Sequence, residues 1–326
     1  SPNPCEADPL RLYPDASGGE AAVTRYRVFP GMELDYRDVH ARACRELRDG
    51  SGERLEIHHC LEGRVEYRQN GRYFYLSPGD LAVARTSSLP PDSRFPTGHY
   101  HGITVTIDPA AAPECLSCIL SDVEVRPATL MEKLCPGGTV FTARSSRRVK
   151  HVFSELYAVP EDIRKGYLKV KLLELLLFLS TLSPEDGQTP HGCTAAQVSL
   201  AEQVKARLLA EPDRTLTLKS LSQQFNVSEA QIKSSFTGVY GMSPAAYARS
   251  QRMHGAAALL RETDRTVLDI ACQFGYDNAS KFARAFRDVI GVSPREYRAG
   301  AEYDSCAPQL GEKPVSLSDA DAERRI

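Results

Sequence analysis

The chain has 326 residues, of which 42% are apolar and 25% are charged, and its formal net charge is −2. This length exceeds one typical domain and suits two, and the near-neutral charge excludes a protein that binds polyanions over its whole surface. The most apolar stretch, residues 168–182, is interrupted by charged side chains and is too short to span a bilayer. Nine cysteines without disulfide-framework spacing are typical of a reducing cytoplasm, where we expect the protein. The close pair Cys115 and Cys118 lacks a second pair or histidines at zinc spacing, so we expect ordinary thiols there.

The N-terminal region is predicted to be β-rich after a flexible lead-in over residues 1–23. Short runs rich in Val, Ile and Tyr alternate with turn residues. They are Leu55–Cys60, Val65–Arg68, Tyr73–Leu76, Leu81–Ala84 and Gly102–Ile107. Asn70-Gly71 predicts a hairpin, because a type I′ turn needs positive φ at both central residues. Many short strands with regular turns predict a small antiparallel β-barrel or a jelly roll.

The chain becomes helical after about residue 110. Residues 163–182 carry leucines at helical spacing, namely Leu168, Leu172, Leu175, Leu176 and Leu179. These leucines either pack against the predicted sheet or pair with the same helix of a second chain across a two-fold axis, and we expect a mixture of both. Residues 183–195 contain Pro and Gly without apolar periodicity and predict a linker. Residues 196–300 predict helices, and residues 301–326 predict a disordered tail.

An internal repeat occupies the C-terminal helical region. Ile232–Phe236 corresponds to Phe282–Phe286, and Gly241–Tyr247 corresponds to Gly291–Tyr297. Each copy predicts a helix, a tight turn and a second helix.

The first copy is predicted to have helices at residues 218–225 and from 229 to about 240, capped by Thr217 and Ser228. The second copy is predicted to have helices at residues 267–274 and 279–290. A connecting helix over residues 245–262 joins them. Gly241 and Gly291 are placed to end the second helix of each copy with positive φ.

Two short helices joined by a tight turn form a DNA reader, because the first helix braces the second in the major groove. Residues 196–300 carry 14 Lys and Arg against 10 Asp and Glu, a modest positive excess that suits DNA. With Ile232, Phe236, Phe282 and Phe286 facing inward, the outward side chains become the candidate DNA contacts. These are Gln231, Lys233, Ser234, Ser280, Lys281, Arg284 and Arg287.

Two of the basic residues have a structural alternative to a DNA contact. Arg284 could form a salt bridge with Asp288 one turn on. Arg252 is predicted to pair with an acid such as Asp269 and to lock the two copies together. A plain helical bundle with ordinary charged faces is the simplest alternative for the whole region, but it does not account for the duplicated Gly-x-Ser-Pro-x-x-Tyr ending.

From about Ser199 to Ala299 the residues resemble the AraC/XylS transcription regulators. The resemblance lies in Arg252–Leu260, Val267–Tyr276 and Gly291–Arg298. It implies two recognition helices that enter adjacent major-groove segments. Arg284 stands where members place an Arg in the second recognition helix. Ser234 and Thr237 depart from the Arg and Lys common in the first, so the first helix is expected to position the domain more than it reads bases, with Lys233 its best candidate contact.

Residues 55–107 contain Leu61–Gly63 closing one strand, Leu76–Asp80 as a turn and a later strand ending Ile103–Asp108. Through these motifs the region resembles the ligand-sensing β-barrel of cupin type, followed by helices that dimerise, that many members carry. The resemblance implies an effector in the barrel interior, and the predicted ligand-binding residues are His58, Tyr67, Tyr75, His99 and His101. His58 and His59 are adjacent on one strand, so alternation sends them to opposite faces. Because no Glu follows either histidine pair at cupin spacing, we expect hydrogen-bonded histidines or a polar ligand contact, with no metal and no cofactor.

The predicted fold is therefore α+β with two domains, an antiparallel cupin-like β-barrel with helices over residues 24–182 and an all-α double helix-turn-helix over residues 196–300. The predicted function is a sequence-specific transcription regulator, an activator that responds to a small molecule, and not an enzyme. Its expected partners are double-stranded DNA, a small-molecule effector, a second copy in a homodimer and RNA polymerase, with no membrane. The alternatives are a metal-binding cupin enzyme, a thiol-based DNA-repair protein with the same reader, and an architectural DNA-bending protein.

Overall fold

The computed structural model describes residues 7–11, 13–14, 18–45, 52–113, 125–187, 192–210 and 216–301. Its strands are β1 (Ala7–Arg11), β2 (Tyr13–Pro14), β3 (Glu20–Phe29), β4 (Met32–His40), β5 (Ala43–Arg45), β6 (Leu55–Gly63), β7 (Val65–Gln69), β8 (Arg72–Leu76), β9 (Leu81–Arg85), β10 (Asp92–Arg94), β11 (Tyr100–Ile107) and β12 (Phe141–Ala143). Its α-helices are α1 (Pro127–Leu134), α2 (Arg147–Ser154), α3 (Arg164–Thr181), α4 (Ala195–Ala210), α5 (Leu218–Phe225), α6 (Glu229–Tyr240), α7 (Pro244–Glu262), α8 (Val267–Gln273), α9 (Ala279–Ile290) and α10 (Pro294–Ala301). No helix in the described ranges is both long enough and apolar enough to cross a membrane.

The N-terminal region is built on an antiparallel sheet of seven strands in the order β1-β3-β4-β11-β6-β9-β12. Strands β10, β5 and β2 form a second sheet, and β7 and β8 form a separate hairpin. Among the described strands the large sheet stays open, with β1 and β12 at its edges, so the predicted barrel is not closed by these strands. Closure depends on which distant strands pair, and strand periodicity carries no information about that pairing.

The seven-stranded sheet has two differently covered faces, because successive side chains of a strand point to opposite sides. One face carries Leu34, Ile57 and Val105 and packs in one core with residues of α1, α2 and α3. The other face carries Val39 and Cys60 and packs with the β7–β8 hairpin in a second core. The N-terminal region is therefore a layered structure with a helix-covered face and a hairpin-covered face.

The leucine stripe of α3 is used entirely within the chain. Its five leucines, Leu168, Leu172, Leu175, Leu176 and Leu179, have no exposed surface and belong to the helix-side core. The interpretation in which these leucines pair with a second copy is therefore wrong, since the sheet already buries them. A homodimer that used α3 would need its outward side chains, such as Ile163 beside its start and Val170, which are 50% and 63% exposed.

Local predictions for the strands agree closely with the structure. Asn70 and Gly71 have φ values of 50° and 73° and join β7 to β8 as a hairpin. The lead-in prediction differs, because β1 pairs with β3 and the described part of residues 1–23 includes strands. Backbone hydrogen bonds to β3 outweigh the turn-forming composition there. Part of the predicted linker lies outside the described residues. The predicted tail beyond residue 301 and the Cys115–Cys118 pair lie entirely outside them.

The chain divides into two compact units. The first comprises residues 1–206 and 217–244, and the second comprises residues 207–216 and 245–326. Helices α5 and α6 thus belong to the unit that contains the large sheet, while α8, α9 and α10 belong to the other unit. Met253, Ala256, Ile270, Phe282 and Phe286 are buried in the core of the second unit.

Candidate functional site

The second helix-turn-helix copy is formed by α8 and α9. Thr266 caps α8 by accepting a hydrogen bond from the backbone N–H of Asp269. Asn278 caps α9, and its Oδ1 accepts from the N–H groups of Ser280 and Lys281 at 2.7 and 3.3 Å. Gly291 ends α9 with φ of 93°, a conformation that glycine adopts without a steric penalty. These start and stop signals fix α9 as a helix of three turns.

The two faces of α9 differ sharply in chemistry. Phe282 and Phe286, one turn apart, are fully buried. The predicted DNA-contacting side chains of this helix, Ser280, Lys281, Arg284 and Arg287, are all exposed on its other side. Lys281 lies 3.7 Å from Asp277, and both of these side chains are largely exposed. Among the described ion pairs there is none between Arg284 and Asp288, the pairing considered as its structural alternative.

The first copy has the same frame on α5 and α6. Thr217 and Ser228 cap the two helices, Asn226 turns the chain with φ of 51°, and Gly241 ends α6 with φ of 76°. Ile232 and Phe236 are fully buried. The helix bounds predicted for residues 218–225 and 229–240 are confirmed.

The exposed face of α6 is less basic than that of α9. Gln231, Lys233 and Ser234 are exposed as predicted. However, Oε1 of Gln231 accepts hydrogen bonds from the backbone N–H and the hydroxyl of Ser228, at 2.9 and 3.1 Å. Ser234 donates to the carbonyl of Gln231 within the same helix. Gln231 thus completes a capping box, which leaves Lys233 as the charged member of the predicted set on α6.

The predicted pairing of Arg252 with Asp269 is wrong. The Asp269 carboxylate accepts a hydrogen bond from the Thr266 hydroxyl at 2.6 Å, and Nε of Arg252 is buried without a hydrogen-bond partner among the described atoms. Asp269 lies in the first turn of α8, where its carboxylate completes the cap and interacts favourably with the helix dipole. A different arginine ties this unit together, since Arg298 donates to the carbonyl oxygens of Leu260 and Arg265 at 3.2 and 2.6 Å.

A polar row crosses the hairpin-covered face of the large sheet. In register across β3, β4, β11 and β6 lie Arg25, Asp35, Thr104 and His58. Arg25 donates to both oxygens of Asp35 at 2.8 Å, and the Thr104 hydroxyl lies 3.2 Å from Nδ1 of His58. Nε2 of His58 lies 3.1 Å from a carboxylate oxygen of Glu56. Buried charged groups need such partners, and this face of the sheet concentrates them.

A small cavity adjoins this row under the hairpin. Its volume is about 20 Å³, room for roughly one water molecule, and its lining includes Arg37, His58, Glu66, Tyr67 and Tyr100. Tyr75 donates to Glu66 Oε2 at 3.0 Å, and Arg68 donates to Oε1 at 3.2 Å. The buried Tyr75 hydroxyl has a raised pKa, because burial and the Glu66 charge both disfavour its ionised form.

The structure separates the predicted ligand-binding residues into two groups. His58, Tyr67 and Tyr75 lie on the hairpin side, where Tyr67 packs edge-on against His58. His101 does not line this cavity, because its position on β11 faces the same side as Ile103, away from Thr104. His99, exposed just before β11, is not among the cavity-lining residues either.

The adjacent histidines on β6 face opposite sides, as alternation predicts. His59 packs into the helix-side layer, where its ring stacks on Phe153 at 4.1 Å and its Nδ1 lies 2.9 Å from the Tyr157 hydroxyl. Burial lowers the pKa of His59 to about 4. Sequence reasoning missed Glu66 as a cavity residue, although a charged residue within a β-strand was a usable signal.

The β7–β8 hairpin also contacts the first helix-turn-helix copy. Tyr73 of β8 exchanges two backbone hydrogen bonds with Cys193, at 2.9 and 2.8 Å. An added Cβ at Gly238 of α6 would lie only 2.6 Å from Sγ of Cys193, so this helix packs tightly on that residue. Lys205 of α4 donates to the carbonyl of Pro96 at 2.9 Å and lies over the ring of Tyr240 at 5.0 Å. The sheet region and α6 are therefore in direct contact within the first unit.

Comparison with known proteins gives matches to the helix-turn-helix region and to most of the chain. A family model described as a helix-turn-helix domain matches residues 221–300. The transcriptional regulator Rob of Salmonella typhimurium is 32% identical over 93 residues, which are 28% of this chain and 32% of that protein. A putative AraC-like transcription regulator of Streptomyces lividans is 29% identical over 130 residues, 39% of this chain and 43% of that protein. These two matches span less than half of each relative.

One relative matches over nearly its whole length. The uncharacterized HTH-type transcriptional regulator YdiP of Escherichia coli K12 is 35% identical over 275 residues, which cover 80% of this chain and 88% of that protein. The similarity thus includes the sheet region as well as the duplicated helix-turn-helix. Together with that duplication, it shows that the chain belongs to the AraC/XylS family of helix-turn-helix transcription regulators.

Proposed function

We propose that this protein is a sequence-specific DNA-binding regulator in which α9 reads base edges in the major groove. The observation that carries the proposal is the exposed face of α9, where Lys281, Arg284 and Arg287 stand opposite two buried phenylalanines. A guanidinium can donate two parallel hydrogen bonds to the O6 and N7 atoms of guanine, which no other base pair offers in that arrangement. Lys281 and Arg287 flank Arg284 and supply charge for phosphates.

The first copy is proposed to place the domain on the duplex. Its exposed charged candidate is Lys233, and the Gln231 side chain is engaged in the helix cap. A single lysine neutralises a phosphate but offers less geometric selectivity than an arginine fork. Sequence choice is then expected to concentrate on the half of the operator that α9 contacts.

Selection of duplexes from a random library by the full chain tests this function. We expect enriched sequences with a guanine that becomes variable when the selection is repeated with Arg284→Ala. Arg148→Ala, a change of an exposed arginine on α2, is the matched control and should return the wild-type sequences. A library with no enriched sequence at fixed salt would contradict sequence-specific reading and favour an architectural DNA-bending protein.

We further propose that a small polar molecule binds at the cavity under the β7–β8 hairpin, in a sensor domain related to the cupin type. Arginine, carboxylate, histidine and tyrosine groups line or adjoin the cavity, which suits a ligand that both donates and accepts hydrogen bonds. A volume of about 20 Å³ is too small for a metabolite, so binding requires the cavity to enlarge, and movement of the hairpin is the proposed means.

The contact of the hairpin with α6 supports a route from effector to DNA. Hairpin movement would pull on the paired Tyr73 and Cys193, and Cys193 packs against Gly238 of α6. An effector that binds the displaced hairpin more tightly would shift the population of α6 arrangements, by no more than its difference in affinity for the two states.

A thermal-shift screen of small polar metabolites tests the effector proposal, since a ligand of the folded state raises its melting temperature. A hit should lose its effect with Glu66→Gln and keep it with Glu33→Gln, a change in β4 at a glutamate that does not line the cavity. A hit that shifts both variants equally would contradict binding under the hairpin.

Homodimerisation and activation complete the proposed function, and RNA polymerase is the proposed partner in activation. Paired half-sites multiply specificity, and the outward Val170 on α3 is an apolar position suited to a two-fold contact. Sedimentation of the full chain should give a dimer that Val170→Glu weakens. A reporter gene behind a selected operator should give more transcript when the protein is present, and less transcript would overturn activation.

A further inference from the structure

Three metal-ligating side chains meet on the face of the sheet opposite the cavity. Asp38 and His40 are two residues apart on β4 and share a face, and His101 on β11 is the register partner of Asp38. Nε2 of His40 lies 3.0 Å from Oδ1 of Asp38, and Nδ1 of His101 lies 3.5 Å from the same oxygen. One ligand atom from each residue lies within 4.8 Å of the other two.

We propose that Asp38, His40 and His101 form a binding site for one divalent transition-metal ion. Ligands at about 2.1 Å from a tetrahedral or octahedral ion lie about 3.0–3.4 Å from each other. The two distances to Asp38, 3.0 and 3.5 Å, are within about 0.1 Å of that range. The two imidazole rings, with centroids 5.3 Å apart and planes at 76°, need only small side-chain rotations to converge on a shared ion.

The ligand set indicates the class of metal. Two imidazole nitrogens with one carboxylate oxygen suit Zn²⁺, Ni²⁺, Co²⁺ or Cu²⁺, whereas Mg²⁺ and Ca²⁺ prefer sites made of oxygen alone. The residues are solvent-accessible, with side chains 56%, 57% and 32% exposed for Asp38, His40 and His101. An ion can therefore enter from solvent and keep water in its remaining positions.

An ordinary surface ion pair is the competing explanation, and it accounts for less of the geometry. Such a pair needs one cation and one anion and contributes about 0–1 kcal/mol. His151 and Glu174 form one on the helical surface, with Nε2 and Oε1 3.7 Å apart. In the cluster, two imidazole nitrogens from different strands converge on the same carboxylate oxygen, at 3.0 and 3.5 Å, which is more than one ion pair requires.

The site is independent of the proposed effector cavity. Asp38 and His40 lie on the side of β4 that carries Leu34 and Tyr36, which belong to the helix-side core. The cavity lies on the other side, where Arg37 is its β4 residue. Failure of the effector proposal would thus leave the metal proposal intact, and the converse also holds.

Calorimetric titration of the full, untagged chain with Zn²⁺ and with Ni²⁺, after removal of bound metal by a chelator, tests the site. All proteins carry Cys272→Ser, which removes the exposed described thiol. We expect one ion per chain in this background. His40→Gln, His101→Gln and Asp38→Asn should each weaken binding by at least about tenfold, the loss that even outer-sphere partners of a metal produce. His151→Gln, a histidine change at the ordinary surface pair, should bind as the parent does.

A second measurement guards against misfolding and against thiol ligands. Thermal unfolding midpoints without metal should agree among the variants, and metal should raise the midpoint of the parent and of His151→Gln only. Bound Co²⁺ should lack a thiolate-to-metal charge-transfer band. The proposal is overturned if the parent binds no ion, if His40→Gln and His101→Gln bind as tightly as the parent, or if the Co²⁺ spectrum shows thiolate ligation.

Discussion

The two helix-turn-helix copies have the same frame but different surfaces and different neighbours. Helix α6 belongs to the compact unit that contains the large sheet, and α9 belongs to the other unit. The exposed candidate face of α6 carries one positive charge, at Lys233, whereas that of α9 carries three. Duplication has thus kept the residues that make the fold, while the exposed residues, which the fold does not constrain, have diverged.

The shared frame consists of residues that local physics dictates. Phe236 and Phe286 are both fully buried, and Gly241 and Gly291 both end their helices with positive φ. The neighbours differ, because α6 meets Cys193 and Lys205 in the first unit, while Phe286 packs against Tyr297 of α10 in the second. This difference supports the proposal that the first copy responds to an effector and the second copy reads the DNA sequence.

Among the predicted substitutions, Phe286→Ala should have the largest effect, and it should destabilise the second unit alone. Deleting a fully buried Phe costs about 3–5 kcal/mol, since the lost transfer energy adds to a cavity. Hydrogen exchange should show lost protection in α8, α9 and α10 with β6 and β11 unchanged. Phe236→Ala is the matched variant and should lower protection in α5 and α6 instead. Equal loss across the sheet and α9 in Phe286→Ala would contradict separate units.

Acid should weaken the first unit selectively through His59. Its side chain is 4% exposed, and its pKa is lowered from 6.5 to about 4 by burial. Between these pH values the unfolded chain binds a proton that the folded chain does not, so folding stability falls as pH falls from 6.5 towards 4. The full loss is about 3 kcal/mol, from about 1.4 kcal/mol for each pH unit.

Scanning calorimetry of the full chain between pH 6.5 and pH 4 measures this effect. His59→Phe keeps an aromatic ring against Phe153 and should flatten the pH dependence of the sheet transition. The transition of the second unit should move equally in both proteins. An unchanged pH dependence in His59→Phe would rule out His59 as the cause.

The sequence predicted the two helix-turn-helix copies more fully than it predicted the sheet region. Caps, turns and burial in α6 and α9 depend on residues within a few positions, so Ser228 and Gly291 were sufficient to predict the start of α6 and the end of α9. The open sheet, the polar row at Asp35 and Thr104, and the capping role of Gln231 depend on partners distant in sequence or on competition between roles. The sequence groups His101 with His99, two positions before it. In the structure the ligand atoms close to His101 belong to Asp38 and His40 of β4.

Replacing Arg284 with alanine tests directly whether the second copy reads sequence more than the first copy does. Arg284→Ala should weaken binding to a selected operator by about 1–3 kcal/mol, which is about 5- to 150-fold, and should weaken binding to unrelated duplexes much less. Lys233→Ala should weaken both by a similar, smaller factor and reduce the salt dependence by about one counterion. Fluorescence anisotropy at several salt concentrations measures both effects. Equal losses for Arg284→Ala on operator and unrelated DNA would make Arg284 a phosphate contact.

Removing the helix caps is the smallest expected change and separates the frame from the reading surface. Asn278→Ala deletes the acceptor for the N–H groups of Ser280 and Lys281 and should cost about 1 kcal/mol in the second unit. Ser228→Ala should cost a similar amount in the first unit, since Ser228 accepts from the Gln231 N–H at 3.2 Å. Because Lys281 and Arg284 extend from the turns that Asn278 anchors, Asn278→Ala should also relax discrimination between operator and unrelated DNA. Ser228→Ala should lower affinity for both alike, and a greater loss of discrimination in Ser228→Ala than in Asn278→Ala would show that the first copy is the main reader of sequence.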